Sequence, residues 1–186
     1  MKFDPLVKSQ NNKLYLLSDD SEIDVESAAV VDGASVNSQS ALPEQQIAVV
    51  KLCWNSVEMN PGEYNEELLA ALRDYLKKLE ENGRYAFIEA SAGKELKDAD
   101  EADSFIAAMV HAARRIKDAV SVVGFSIADE LLSKDAGSSL DENSYSQWFV
   151  NEMNKKHGHY VYFISKKAAE NFKLLDLVAK TSFILY

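Results

Sequence analysis

Cysteine is almost absent from this chain: Cys53 is the only one in 186 residues. A single thiol excludes an internal disulfide and any cluster of thiolate metal ligands. It falls in an apolar run beside Trp54, where a thiol packs as a small hydrophobe more readily than it acts as a nucleophile. Histidine is scarce too, with three in all. His111 sits in a helical pattern, while His157 and His159 flank Gly158 just ahead of a strand, so they do not converge on a metal site. Neither G-x-G-x-x-G nor G-x-x-x-x-G-K-[ST] occurs, so no strand is followed by a glycine-rich phosphate cradle. Neither a metal nor another cofactor is expected. No apolar run approaches the roughly 20 residues of a membrane span. Basic residues are outnumbered, 20 against 30 acidic, and the formal charge of −10 repels phosphate backbones and anionic lipid. Nucleic acid and membrane are therefore not expected partners.

What the chain has is the composition of a globular protein, 47% hydrophobic and 27% charged. Its length suits one domain with a real core, yet falls short of the roughly 250 residues of a complete eight-fold α/β barrel. Met1-Lys2-Phe3-Asp4-Pro5 places an acid and a proline where a signal peptide needs its apolar core. The chain as given thus reads as cytoplasmic, or as secreted if a longer precursor is processed.

Two segments divide the sequence. Residues 1–46 are irregular: Lys13 to Leu17 is a short apolar run, Ser18 to Glu26 is acidic, and Ala28 to Val31 is β-prone. Asp32-Gly33 is a turn signal compatible with a hairpin or with an irregular first strand. Ser35 to Pro43 reads as a loop. Residues 47–186 are regular. Ile47 to Trp54 is a buried-strand pattern; Leu68, Leu69, Leu72, Tyr75, Leu76 and Leu79 then recur at helical spacing, with Asn65 as cap and Gly83 as stop. Tyr85 to Ala90 is the next strand and Phe105 to Ile116 the next helix face. Val120 to Ile127 is a strand, Tyr145 to Met153 a helix ended by Gly158, and Tyr160 to Ile164 a strand. Ser165 can cap one helix carrying Ala169, Phe172, Leu175 and Val178 before a terminal run from Ser182 to Tyr186. Apolar strands alternating with single amphipathic helices predict an α/β domain with a parallel sheet. The most varied polar linkers follow strands, at Ser91 to Asp100 and Leu131 to Asn143, and in a parallel sheet these open on one face.

The stretch Trp54, Glu58, Pro61, Gly62 and Tyr64, then Leu68 to Gly83, then Ala86-Phe87-Ile88-Glu89, resembles the second and third β/α units of the cellulase-like clan of (β/α)8-barrel glycoside hydrolases. Gly124-Phe125-Ser126-Ile127-Ala128-Asp129-Glu130-Leu131 resembles the fourth strand of that clan, where Asn-Glu-Pro is common. Glu130 matches the general acid/base; Asp129 stands in place of the Asn and Leu131 in place of the Pro. The resemblance implies a partial or truncated TIM-barrel-like domain covering strands two to five. It also implies an oligosaccharide ligand. In the clan the nucleophile glutamate ends strand seven, and no residue of this sequence falls at that place.

Chemistry independently asks for one carboxylic acid to protonate the leaving oxygen and a second carboxylate as nucleophile or base. Glu130 is the candidate acid, flanked by apolar Ile127 and Leu131. Asp129, Trp54 and Glu89 are the candidate substrate-binding residues, Trp54 as a platform for a sugar ring or as a core cap. Glu58 is expected to order the turn, and Tyr145 and Trp148 to pack. An incomplete barrel leaves strand edges open, so a homodimer through those edges is a further expectation. A non-catalytic α/β protein-interaction module stays open as the alternative.

Overall fold

The computed structural model describes residues 4–135 and 140–186. Residues 1–3, within the N-terminal run read above for export, and 136–139, within the linker Leu131 to Asn143, lie outside the described residues.

Three short strands open the chain as an antiparallel sheet, β1 (Val7–Gln10), β2 (Lys13–Leu16) and β3 (Glu22–Ile23). The turn between β1 and β2 is Asn11-Asn12, both with positive φ (52° and 60°), the two-residue geometry that matches the twist of a hairpin. Asp32-Gly33 makes no hairpin. Instead β4 (Ala29–Asp32) runs parallel to β5 (Ile47–Cys53), so it is the first strand of the main sheet.

The remaining strands of that sheet are β8 (Tyr85–Ser91), β9 (Val122–Ser126), β10 (Val161–Ile164) and β11 (Ile184–Leu185). All pairings are parallel, and the spatial order β4-β5-β8-β9-β10-β11 follows the chain from edge to edge. An order that never reverses is that of a barrel wall, whereas a doubly wound sheet reverses at a switch point. The sheet does not close, since β4 and β11 are its two ends.

The helices lie on one face. α2 (Glu66–Glu81) begins at Asn65, whose side chain accepts from the Leu68 amide at 3.1 Å, and the chain leaves it through Gly83 at φ 64°. α3 (Ala99–Ile116) begins at Asp98, which accepts from the Glu101 amide at 2.9 Å. α5 (Tyr145–His157) begins at Ser144. Their apolar stripes bury Leu72, Leu76, Phe105, Met109 and Phe149 against the outward residues of the sheet, among them Val50, Leu52 and Ile88.

The inward face carries a second core, in which Val49, Phe87, Phe163 and Ile184 pack on Val7, Leu14 and Ile23 of the N-terminal sheet. The Phe87 and Phe163 rings stack at 4.0 Å. The β1–β3 sheet thus covers part of the inward face.

Three local readings change. Trp54 does not end the strand but starts a single helical turn, α1 (Trp54–Val57), and a small hairpin of β6 (Glu58–Asn60) and β7 (Glu63–Tyr64) precedes α2. The linker after β9 begins with a helix, α4 (Asp129–Lys134), because Leu131 and Leu132 are both buried. The single helix after Ser165 is two, α6 (Lys166–Asn171) and α7 (Leu175–Val178). Lys173 turns left-handed between them (φ 58°), which lets the Leu174 amide reach the Ala169 carbonyl at 2.8 Å and buries Leu174.

Candidate functional site

Strand alternation and register decide which side chains meet at the C-terminal rim of the sheet. Lys51 pairs with Asp32 on one side and Glu89 on the other, and Ser126 is next in the row because Ile88 pairs with Phe125. Ser126 in turn pairs with Phe163. The inward face is therefore apolar through Val49, Phe87 and Val123, and turns polar one row higher. There Lys51 Nζ lies 3.5 Å from Glu89 Oε1. The Ser126 hydroxyl accepts from the Ala90 amide at 3.1 Å. The Tyr186 phenol, beside Ser126 and Glu89, is pushed above the ordinary tyrosine range by burial, and then by the Glu89 charge.

Glu130 sits in the first turn of α4, one row above Glu89. Its Oε1 accepts from the Ser91 hydroxyl at 2.8 Å and from the Gly93 amide at 3.0 Å, while Oε2 has no hydrogen-bond partner among the described residues. Gly93 is held at φ 69°, and a Cβ there would stand 2.6 Å from Cys53 Sγ, so both the conformation and the space require glycine. Cys53 thus acts as a packing surface under the loop that grips Glu130. Asp129 points elsewhere: its Oδ1 accepts from the Ser165 hydroxyl at 3.0 Å. Burial, followed by the neighbouring Glu130 charge, raises the Asp129 carboxyl above the usual range, with the Ser165 bond opposing.

Trp54 belongs to a different compartment. Its ring meets Phe105 edge-on at 6.0 Å, its indole N–H donates to Glu58, and Lys94 Nζ lies 5.0 Å above its face. Glu58 also accepts from the Gly62 amide at 2.6 Å, so it does order the turn. Trp54, Met59, Gly93, Lys94 and Glu101 line a groove of about 650 Å³ between the loops after β5 and β8. The sequence candidates thus divide. Glu130 and Glu89 share the inner rim, Asp129 faces α6, and Trp54 lines the outer groove, joined to Glu130 through Gly93.

Sequence reasoning missed Lys51, Ser91, Ser126 and Tyr186. Lys51 was the one legible signal, a lone charge inside an apolar strand pattern. Among the described residues no cluster of three or more His, Cys, Asp or Glu is arranged to hold a metal ion. Among those residues, too, no helix is long and apolar enough to cross a membrane.

No protein-family profile matches the chain, and comparison with curated proteins finds no significant match. Solved structures do match. An endogalactoceramidase superposes with a TM-score of 0.64 at 10% identity, over 87% of this chain and 53% of that one. Endoglycoceramidase II from Rhodococcus sp., as its lactosyl-enzyme intermediate, gives 0.56 at 10% identity, over 87% and 52%. The same enzyme in complex with ganglioside GM3 gives 0.56 at 10%, over 88% and 51%. The chain spans about half the length of these proteins, and at such identity the likeness is one of fold. The fold is glycoside-hydrolase-like, a six-stranded part of such a barrel.

Proposed function

We propose that this protein is a carbohydrate-binding, glycoside-hydrolase-like domain in which Glu130 is the general acid/base candidate. The observation that carries the reading is the grip on Glu130. Two donors fix Oε1, and Oε2 is left as the atom able to present a proton to a leaving oxygen. The neighbouring groove has the volume of a small-ligand pocket and one aromatic wall. Trp54 serves there as the stacking surface, and Asp129 and Glu89 as hydroxyl acceptors at the rim.

Calorimetric titration with cellobiose, lactose and cello-, manno- and galacto-oligosaccharides tests this. The structural neighbours point to β-linked glucose and galactose units, since those proteins were seen with lactosyl and cellobiose-like groups. Micromolar to millimolar binding is expected, weakened about 10-fold in Trp54→Ala, the loss of one stacked ring. Absence of heat with every saccharide refutes it.

The homodimer rests on the sheet ends. β4 is short and unpaired on its outer side, and Val30 on it is 66% exposed, an apolar edge of the kind that recruits a second copy. Light scattering after size exclusion decides it; a monomer at all concentrations removes this reading.

A further inference from the structure

We infer that the groove walled by Trp54 selects amino sugars: a β-linked glucosamine ring stacks on the indole, and its ammonium is received by the Glu101 and Asp100 carboxylates beside it. The inference rests on the saccharide-binding reading above and names the class of sugar that the groove prefers.

The groove is already arranged around a cation. Lys94 Nζ lies 5.0 Å from the centre of the Trp54 ring and 2.7 Å from Glu101 Oε1, so one ammonium meets an aromatic face and a carboxylate at once. Both receiving groups are fixed. The indole is pinned by Phe105, edge-on at 6.0 Å, and by its N–H bond to Glu58. Glu101 accepts from the Lys97 amide at 2.8 Å through Oε2, which leaves Oε1 to the cation. These two hydrogen bonds, the one from Lys94 first, hold the Glu101 carboxyl below the ordinary range and so keep it ionised. Lys94 itself belongs to the loop after β8 and its side chain is 51% exposed, so it can yield the ring face without being buried elsewhere.

Charge then decides which sugar gains. Four carboxylates line the groove, Glu58, Asp98, Asp100 and Glu101, against Lys94 as its one basic side chain among the described residues. Glu58 is committed to the Trp54 indole and the Gly62 amide, and Asp98 to the Glu101 amide. Asp100 is exposed and Glu101 half-buried, both open to a ligand. A neutral ring brings nothing to offset this excess of negative charge. Glucosamine carries its cation equatorially on C2, at the rim of the ring, so a ring lying flat on the indole directs the ammonium along the groove wall. Because the groups are accessible, the gain is modest and is screened by salt.

Cellotetraose and the β-1,4 glucosamine tetramer differ only in a hydroxyl against an ammonium at C2, and calorimetry compares them at about pH 6, where carboxylates are ionised and amines protonated. The amino tetramer should bind about 5–10-fold tighter at low salt, the preference falling below about 2-fold in ~0.5 M salt. The double variant Asp100→Asn, Glu101→Gln should erase the preference while cellotetraose affinity changes less than about 2-fold, which also shows that the fold is intact. A general attraction to an acidic protein would survive that variant, since it removes only two of 30 acidic residues. Binding of the amino tetramer alone, lost in the double variant, also supports the inference. Equal affinities, tighter binding of cellotetraose, or a preference that persists in the double variant or at high salt overturn it and leave the saccharide-binding reading standing. Absence of binding by both tetramers overturns it too, and silence of the other saccharides named above overturns the two readings together.

Discussion

His157 makes the acid stability of this fold a quantitative test of its packing. The residue closes α5, is 1% exposed and stacks on Tyr160 with ring centroids 5.3 Å apart, and neither ring nitrogen has a hydrogen-bond partner among the described residues. Burial lowers its pKa from 6.5 to about 4, with the positive charges of His159, Lys117 and Arg114 contributing less. A histidine with a folded pKa below its unfolded one stabilises the native state fully above the unfolded value. That contribution is lost as pH falls through the window from 6.5 toward 4. The loss from this group alone is about 2 kcal/mol between pH 7 and pH 5, and about 3 kcal/mol by pH 4. Carboxylates titrate in the same range, so the test is a difference of differences. Urea unfolding of the wild type and of His157→Phe at pH 7 and pH 5 gives four stabilities. Phenylalanine keeps the stack, and any overpacking cost it brings does not depend on pH. The wild type should lose about 2 kcal/mol more than the variant on acidification, a factor of roughly 30 in the unfolding constant. Equal losses within about 0.5 kcal/mol would show that the ring is hydrated or protonated in the native state, and the burial argument would fail.

Three further outcomes follow from local geometry. Gly93→Ala should destabilise by about 2–4 kcal/mol in urea, because alanine there meets both a strained φ and the Cys53 sulfur. Cys53→Ala should recover part of that loss by opening the space, and additive effects of the two changes would contradict the contact. Glu58→Ala removes the acceptor for the Trp54 indole and the Gly62 amide, so melting should fall by an amount equivalent to about 1–2 kcal/mol, with a shift in tryptophan fluorescence. Asn65→Ala removes the α2 cap and should cost about 1 kcal/mol, whereas Asn65→Asp should cost less than half of that.

The regular part of the fold was legible because each helix here is wrapped on a sheet that is apolar on both faces. Leu72, Leu76 and Phe105 could lie only on a buried stripe, and Asn65 and Ser165 stand where capping chemistry wants them. The errors fell where the outcome depends on a partner distant in sequence. Asp32-Gly33 is a turn under either reading, and only the pairing of Val30 with Val49 determines that β4 runs parallel. The break at Lys173 violates no apolar period, because Leu174 becomes the buried residue in place of a continued helical stripe. The site was half legible for the same reason. Glu130 and Trp54 lie in contiguous motifs, whereas Ser91, Ser126 and Tyr186 are ordinary residues whose roles come from register between strands up to 60 residues apart, as Ser126 and Tyr186 are.

The division of the candidates over two compartments bears on how the proposed saccharide would have to lie to be bound here. On the proposed reading a ring stacked on Trp54 would occupy the outer groove, while the Glu130 carboxyl lies on the inner rim. The bond between the two sugars would then cross above Gly93, whose amide already holds Glu130 and whose missing side chain leaves that passage low. Lys94 stands at the same crossing, over the Trp54 face and 2.7 Å from Glu101, so a stacking ring must displace it toward its ion-pair partner. That displacement separates no buried charge, because Lys94 and Glu101 are both solvent-accessible and such pairs contribute about 0–1 kcal/mol. For the proposed saccharide the barrier to occupying the groove would therefore be small, and affinity would be set by how much of the ring face Trp54 covers rather than by the charge removed from it.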